Sequence, residues 1–317
     1  MSEKAIAVQY YFSITTMPLG ILLNILSMWI FSRKRFNKNT NMGFLYIILC
    51  LFNIIALINQ LIIYTLEKFE IDPRNFNLFS CKFYNIFASV ALQIPSIAQI
   101  YISYDLYRSI CNFKAKILSK KYYYFAILLS ILGLFATNSI YFTFFIATDS
   151  ISDETLIDLN STRLNSTITE CIGTEITDLI GDGVNILFRD LVPFTIIFIL
   201  NYSVTKQVLK SKKNTQLGKS LKKEYNFAIT VIAINIVFLL IYLPWAISFV
   251  LYHTMHFMSF TIEVDLDLFD MIQSISNCVS YLNNYSPFFI NIIFNSMFRD
   301  EFMSLLPRSK RVKSEKV

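Results

Sequence analysis

The chain has 317 residues, of which 55% are hydrophobic and only 16% are charged, and its formal net charge is +6. This composition excludes a soluble globular protein, because too few polar residues remain to cover so much apolar side chain. It also argues against a nucleic-acid-binding protein, since the basic residues lie in short loops between apolar runs and form no single basic patch.

Charge-free runs long enough to cross a membrane follow one another along the chain. A charge at the bilayer centre costs a few kcal/mol, so runs of about 20 uncharged residues indicate membrane spans. The predicted fold is therefore an all-α membrane protein, a seven-transmembrane helix bundle. Its spans are residues 9–32, 42–66, 80–107, 122–147, 184–208, 225–252 and 268–294.

The fifth span is the weakest by pattern, because it contains Arg189 and Asp190, which we place in its outer turn. Residues 1–8 are predicted to form a short extracellular N-terminus. Residues 295–317 are predicted to form an amphipathic eighth helix and a short tail, because Phe298, Phe302, Leu305 and Leu306 fall on one helical face.

Basic and acidic residues divide between the two ends of the bundle. One side holds 22 of the 28 basic residues, whereas the other holds 6 basic and 17 acidic residues. Positive loops stay in the cytoplasm, so we expect a plasma-membrane protein with its N-terminus outside. The seven basic residues of 206–223 are predicted to dock cytoplasmic partners, although binding to lipid headgroups explains them equally well.

The cysteines and glycosylation sequons agree with this orientation. Cys50 and Cys278 fall within spans and Cys111 at an inner end, which leaves Cys81 and Cys171 as the outer pair. A disulfide between these two cysteines is predicted, because the outer compartment is oxidising. Asn160 and Asn165, in the same outer loop as Cys171, begin sequons and are predicted glycosylation sites.

Short motifs then appear in the order and spacing of a known family. The chain resembles rhodopsin-like (class A) G-protein-coupled receptors of a divergent invertebrate type, with Cys81 placed 26 residues before Tyr107. The matching positions are Asn24 in the first span, Asn53 in the second, Asp105, Leu106, Tyr107 and Arg108 ending the third, Pro193 in the fifth, Phe238, Tyr242 and Pro244 in the sixth, Ser286 and Pro287 in the seventh, and Asn295–Phe302 after it.

The resemblance implies a receptor that passes an extracellular signal to a heterotrimeric G protein, but several motif residues differ. Leu106 replaces the family's arginine, and Arg108 is no substitute because two residues rotate a helix by roughly 200°. Either Ile290 or Asn291 stands where the seventh span usually carries a tyrosine. Tyr242 replaces the tryptophan of the sixth span.

Polar residues within the spans can be interpreted in two ways. Asn24, Asn53, Asn283 and Ser286 match the central polar cluster of the family, although packing contacts between helices are the default role of such residues. No catalytic motif or paired intramembrane carboxylates occur, so no enzyme is expected. No cofactor or metal is expected either, because His253 and His256 alone are weak evidence for a metal site.

The ligand class follows only in part from the sequence. Ala88 stands where amine receptors carry an aspartate, and the seventh span contains no lysine for a retinal Schiff base. The acidic outer face favours a cationic peptide, although simple solvation of the loop acids explains it nearly as well. The competing functions are a channel, a transporter or a receptor that acts without G proteins.

Overall fold

The computed structural model describes residues 2–37, 41–69, 71, 74, 77–111, 118–139, 146–150, 168–172, 175–214, 219–258 and 266–305. The first helices are α1 (Glu3–Phe31), α2 (Lys34–Asn37), α3 (Met42–Lys68), α4 (Leu78–Cys111) and α5 (Lys120–Thr137). Strands β1 (Ile146–Ser150) and β2 (Ile168–Ile172) follow. The chain continues through α6 (Glu175–Ile186), a π-helical turn (Leu187–Leu191), α7 (Val192–Asn214), α8 (Lys219–Met258), α9 (Leu266–Tyr281), a 3-10 turn (Leu282–Asn284), α10 (Ser286–Phe294) and α11 (Ser296–Leu305).

Helices are present at all seven predicted span positions. In the described part of the chain, five are long and apolar enough to cross a membrane: Glu3–Phe31, Met42–Lys68, Phe79–Cys111, Gly183–Gln207 and Ile229–Leu251. The fourth span, α5, has 18 residues, and the seventh is divided between α9 and α10. The predicted all-α membrane bundle is confirmed.

The main core brings the first, second, third and seventh spans together. α1 packs along α3, and α4 packs along both α3 and α7. Phe31 stacks on Tyr46 at 4.4 Å between ring centroids, and Phe298 of α11 lies 5.1 Å from Phe31. The eighth helix is amphipathic as predicted, because Phe298 is fully buried while Asp300 is exposed and pairs with Arg35 at 3.4 Å.

The predicted end of the fourth span is wrong. α5 ends at Thr137, and residues 146–147, which we assigned to the span, belong to strand β1. Ile146 pairs with Ile172 and Ser150 with Ile168 in an antiparallel sheet. Aromatic and β-branched residues between 139 and 147 suit a strand as well as an apolar helix, so periodicity alone could not distinguish the two.

Candidate functional site

At the outer end of the bundle, the β1–β2 hairpin contacts α4. The predicted disulfide is confirmed: Cys81, at the start of α4, is bonded to Cys171 of β2 with 5.5 Å between their Cα atoms. The Cys81 side chain is fully buried, and the Asn85 amide donates to the Cys81 carbonyl at 2.8 Å. The bond therefore fixes the hairpin against the third span.

Beneath the hairpin, the helix of the fifth span contains a π-helical turn, Leu187–Leu191. Pro193 explains its position, because a proline has no N–H to donate to the carbonyl four residues earlier, here Arg189, and its ring crowds that carbonyl. π-turns change the direction in which neighbouring side chains point and are frequent at functional sites. Here both Arg189 and Asp190 are turned into the bundle and are buried.

The Arg189 guanidinium connects three spans. It donates to the Tyr242 hydroxyl from Nε and Nη2 at 3.4 Å and to Ser280 Oγ at 3.2 Å. Its Cζ lies 5.0 Å from the Tyr242 ring centroid, 4.8 Å from that of Trp245 and 5.7 Å from that of Tyr281. Cation–π contacts are strongest when desolvated, so this side chain holds the fifth, sixth and seventh spans together.

The contacts of Arg189 continue to the second span. The hydroxyls of Tyr281 and Tyr64 lie 3.4 Å apart, and Asn277 Nδ2 donates to the Tyr64 hydroxyl at 2.8 Å. Ser280 Oγ also donates to the Asn277 carbonyl at 2.7 Å. A continuous polar chain therefore links the fifth span to the second through the seventh.

A second polar network joins the third, fourth and fifth spans. Gln93 Nε2 donates to Asn185 Oδ1 at 2.7 Å, and Asn138 Nδ2 donates to Gln93 Oε1 at 2.8 Å. Asn185 Nδ2 completes the set by donating to Ser89 Oγ at 3.3 Å. Asn185 lies one turn before Arg189, so the same stretch of the fifth span contacts all of its neighbours through polar side chains.

The Asp190 carboxylate lies in this outer region and lacks hydrogen bonds from the described residues. Its side chain is 8% exposed, and neither carboxylate oxygen accepts a hydrogen bond from the residues that the structure describes. Its neighbour Arg189 supplies an attractive charge. A buried carboxylate without hydrogen-bond donors is costly, so Asp190 depends on that charge. The sequence predicts both residues in the outer turn of the fifth span, and the structure shows that both side chains are buried there.

In the centre of the bundle, the structure brings Asn24 and Asn53 together. Asn53 Nδ2 donates to Asn24 Oδ1 at 3.3 Å, and Asn24 Nδ2 donates to the Asn284 carbonyl at 3.0 Å. Asn283 and Ser286 interact locally instead, through a bond of 3.4 Å from Ser286 Oγ to the Asn283 carbonyl. The predicted cluster thus joins the first, second and seventh spans through Asn24.

At the inner end of the third span, Asp105 is held by the fourth. The Tyr123 hydroxyl donates to Asp105 Oδ1 at 2.5 Å, and the Asn41 side chain also hydrogen-bonds this carboxylate. Leu106 is buried in the main core, whereas Tyr107 and Arg108 are half-buried. The carboxylate that lacks the family's arginine beside it is held by neutral donors, and Arg108 adds an attractive charge.

Two of the three motif residues of the sixth span, Phe238 and Tyr242, lie in a separate buried cluster. Phe238 and Tyr242 pack with 4.7 Å between ring centroids, and Trp245 completes the cluster. Pro244 is exposed on the outer surface of the helix.

In the seventh span, Ile290 and Asn291 are both buried, and Asn291 Nδ2 donates to the Pro287 carbonyl at 2.7 Å.

Some predicted residues lie outside what the structure describes. These are the sequons at Asn160 and Asn165, the side chains of His253 and His256, residues 215–218 of the basic loop, Leu306 and the tail beyond it. Among the described residues, no group of three or more His, Cys, Asp or Glu side chains could hold a metal ion.

Sequence reasoning missed the arginine contacts and the amide network. Two signals were available: Pro193 within an apolar helix, and the polar residues Asn185 and Arg189 four positions apart in the same span. Neither signal identifies Trp245 or Ser280 as partners, because these contacts come from distant parts of the chain.

The described features define a class: a helical integral membrane protein whose outer loop is fixed by a disulfide above a polar bundle interior. Residues 23–286 match the sequence profile of the 7 transmembrane receptor (rhodopsin family). The chain belongs to this family and is a G-protein-coupled receptor. No curated protein matches the chain in a sequence comparison.

Proposed function

We propose that this receptor binds a cationic extracellular peptide at the outer end of the bundle. The acidic outer face supports this, since opposite charge steers a ligand towards its site. The observation that carries the ligand class is the buried Asp190 carboxylate, which accepts no hydrogen bond from any described residue. A lysine or arginine of the peptide would supply donors to Asp190 and compete with Arg189 for the faces of Tyr242 and Trp245.

Displacement of Arg189 is the proposed route from ligand to signal. Its guanidinium holds the sixth span through Tyr242 and Trp245 and the seventh through Ser280. Releasing these contacts would let the sixth span move relative to the fifth. The hairpin adds a recognition surface, because a two-stranded sheet offers backbone groups to an extended peptide along its edges.

The ligand proposal is tested with a library of basic, neutral and acidic peptides and a second-messenger readout. We expect basic peptides to be the most potent agonists and Asp190→Asn to raise their half-maximal concentration at least about tenfold, since it removes a desolvated charge partner. The matched control is Asp267→Asn, an exposed acid of α9, for which we expect a much smaller change. A best agonist that is neutral or acidic, or equal potency on the Asp190→Asn receptor, contradicts the proposal.

On the cytoplasmic side, we propose that a heterotrimeric G protein docks on the basic segment 206–223, which includes the end of α7 and the start of α8, and on α11. The N-terminus is then outside, Asn160 and Asn165 are glycosylated, and residues 9–294 form the membrane domain. Charge-neutral variants of Lys212, Lys213, Lys222 and Lys223 should together reduce G-protein recruitment at equal surface expression. Neutral variants of Lys310 and Lys313, in the tail, are the control.

One observation favours a second candidate, a receptor that acts without G proteins. The third span carries the buried Leu106 where the family has a charged residue that engages the G protein. Agonist-dependent recruitment of other cytoplasmic partners without any G-protein activation would support this candidate and contradict docking on the basic loop.

A further inference from the structure

A hydrogen bond between two buried, uncharged side chains joins the sixth span to the third. Asn235 Nδ2 of α8 donates to Ser103 Oγ of α4 at 3.3 Å. The neighbouring side chains Val231 and Ile234 of α8 are buried and apolar. Leu106, one turn further along α4, is buried as well and offers no polar group. The Asn235–Ser103 bond is therefore a polar restraint between surfaces that are otherwise apolar.

The fifth span carries a buried amide oxygen that lacks a donor. Asn201 Oδ1 of α7 is enclosed by protein and accepts no hydrogen bond from the part of the chain that the structure describes. Ile197 and Val204, one turn away on either side, are buried, so Asn201 lies on the face of α7 that is turned into the bundle. An unpaired amide oxygen in such a place is unfavourable. Because protein encloses this oxygen, its donor has to come from the receptor itself.

Asn201 and Asn235 lie at the same depth in the bundle. Both line one cavity of about 200 Å³, which is formed by residues 194–205 of α7 and residues 232–239 of α8. Consecutive spans cross the membrane in opposite directions, so the middle of one stretch faces the middle of the other. Each asparagine lies close to the middle of its stretch. The cavity thus leaves space through which the Asn235 amide can approach Asn201.

We propose that Asn235 is a latch with two positions, donating to Ser103 Oγ in the resting receptor and to Asn201 Oδ1 after the sixth span has moved. The latch rests on the movement of the sixth span that is part of the proposed function. Ser103 loses little when the amide leaves, because a serine hydroxyl can bond to a carbonyl of its own helix. Asn201 Oδ1 gains a donor that it lacks at rest. The exchange therefore favours the moved state, and the contacts of Arg189 with the sixth and seventh spans oppose it.

The test measures the position of the sixth span in the full-length receptor in lipid nanodiscs, without ligand or G protein. A thiol-reactive trifluoromethyl probe is attached to Ser220→Cys, at the inner end of α8, in a Cys111→Ser background. Fluorine NMR then gives the ratio of moved to resting receptor. Ser103→Ala should raise this ratio about threefold and Asn201→Leu should lower it about threefold, as expected for one hydrogen bond between membrane helices. Loss of packing alone does not predict opposite signs.

The control is the same pair of substitutions in an Asn235→Leu receptor. Both acceptors have then lost their shared donor, so the ratio should respond to neither substitution. Thr195→Val, at an exposed position of α7 outside the cavity lining, should also leave the ratio unchanged. Asn201→Ala replaces Asn201→Leu if the leucine variant does not fold.

The possible outcomes separate the latch from the function on which it rests. Two populations whose ratio does not respond to Ser103→Ala overturn the latch alone. Shifts that persist in the Asn235→Leu receptor overturn it too, because another donor, such as Thr205 of the cavity lining, then serves Asn201. A single population in every variant contradicts the movement of the sixth span itself, and the latch with it.

Discussion

In the outer half of the bundle, polar side chains of several spans form connected networks, whereas in the inner half the spans are joined by separate pairs such as Tyr123–Asp105 and Asn235–Ser103. Gln93, Asn138 and Asn185 connect the third, fourth and fifth spans, and Arg189 connects the fifth span to the sixth and seventh. Asn291 instead donates to the Pro287 carbonyl of its own helix, and Leu106 lies in an apolar core. Hydrogen bonds between membrane helices are individually weak, about 0.6 kcal/mol on average. The outer half can therefore rearrange by exchanging partners, while inner packing must move as a unit.

The strongest test of this comparison removes the covalent restraint on the outer half. Cys171→Ser should lower the free energy of unfolding by about 4 kcal/mol, because the disulfide closes a loop across 90 residues. Thermal unfolding of the purified receptor measures the loss. Cys111→Ser, a half-buried thiol outside the disulfide, serves as the control and should have little effect. Equal melting temperatures for the Cys171→Ser and unmodified receptors would show that the outer polar networks suffice without the bond.

The next test concerns the buried charges. Arg189→Met should destabilise the receptor by about 3 kcal/mol, because it leaves Asp190 buried without its opposite charge. Adding Asp190→Asn should recover part of the loss, since no isolated charge then remains. The measurement is again thermal unfolding, now for both single variants and the double variant. If the double variant is no more stable than Arg189→Met, the two charges are not coupled and the outer half depends on other contacts.

A smaller effect is expected at the inner end of the third span. Leu106→Arg should add a second charge partner for Asp105, besides Arg108, and stabilise the resting receptor by about 1 kcal/mol, since Asp105 itself is only half-buried. Ligand-independent second-messenger output should then fall about fivefold at equal surface expression. Leu106→Gln is the uncharged control.

The structure sharpens this prediction, because the Tyr123 hydroxyl already binds Asp105 at 2.5 Å. The new arginine competes with that bond, so the reduction should be larger when Tyr123→Phe is added. Unchanged or higher basal output in the Leu106→Arg receptor contradicts the account.

The last prediction is that sodium has no effect on agonist affinity. The sodium site of the family needs a carboxylate in the second span, and Asn53 offers only a neutral amide, which cannot replace a cation's lost hydration. Agonist affinity should be the same in sodium and potassium buffers of equal ionic strength. A decrease in affinity that sodium causes and potassium does not would show that the central amides bind a cation.

The sequence predicts features that are set locally, but it does not predict those that depend on contacts between distant parts of the chain. The spans and the Cys81–Cys171 bond follow from charge-free runs and compartment chemistry, which are local or nearly unambiguous. The direction of Arg189 does not, because it depends on a π-turn and on partners in the sixth and seventh spans. Strand β1 escaped prediction for a related reason: its pairing partner, β2, begins only at Ile168.

At the inner end, the position of Asp105 followed from the motif, but its partner did not. Tyr123 lies on another helix, and nothing in the local pattern distinguishes it from the adjacent Tyr122 and Tyr124. Side-chain pairing between spans is a property of the packed bundle, so sequence spacing alone cannot supply it.

The seventh span is not one continuous rod, and this has a mechanical consequence. The α-helical backbone ladder is interrupted between Tyr281 and Ser286, where the Asn284 carbonyl accepts from Asn24 of the first span. Gly20 leaves room for the Tyr285 ring there, since a Cβ at position 20 would lie 2.7 Å from it. Torque on α9 about its axis is therefore not passed rigidly to α10. A sideways shift of α9 can still be passed to α10. The first span, which contacts the break through Asn24 and Gly20, is the point about which that shift occurs.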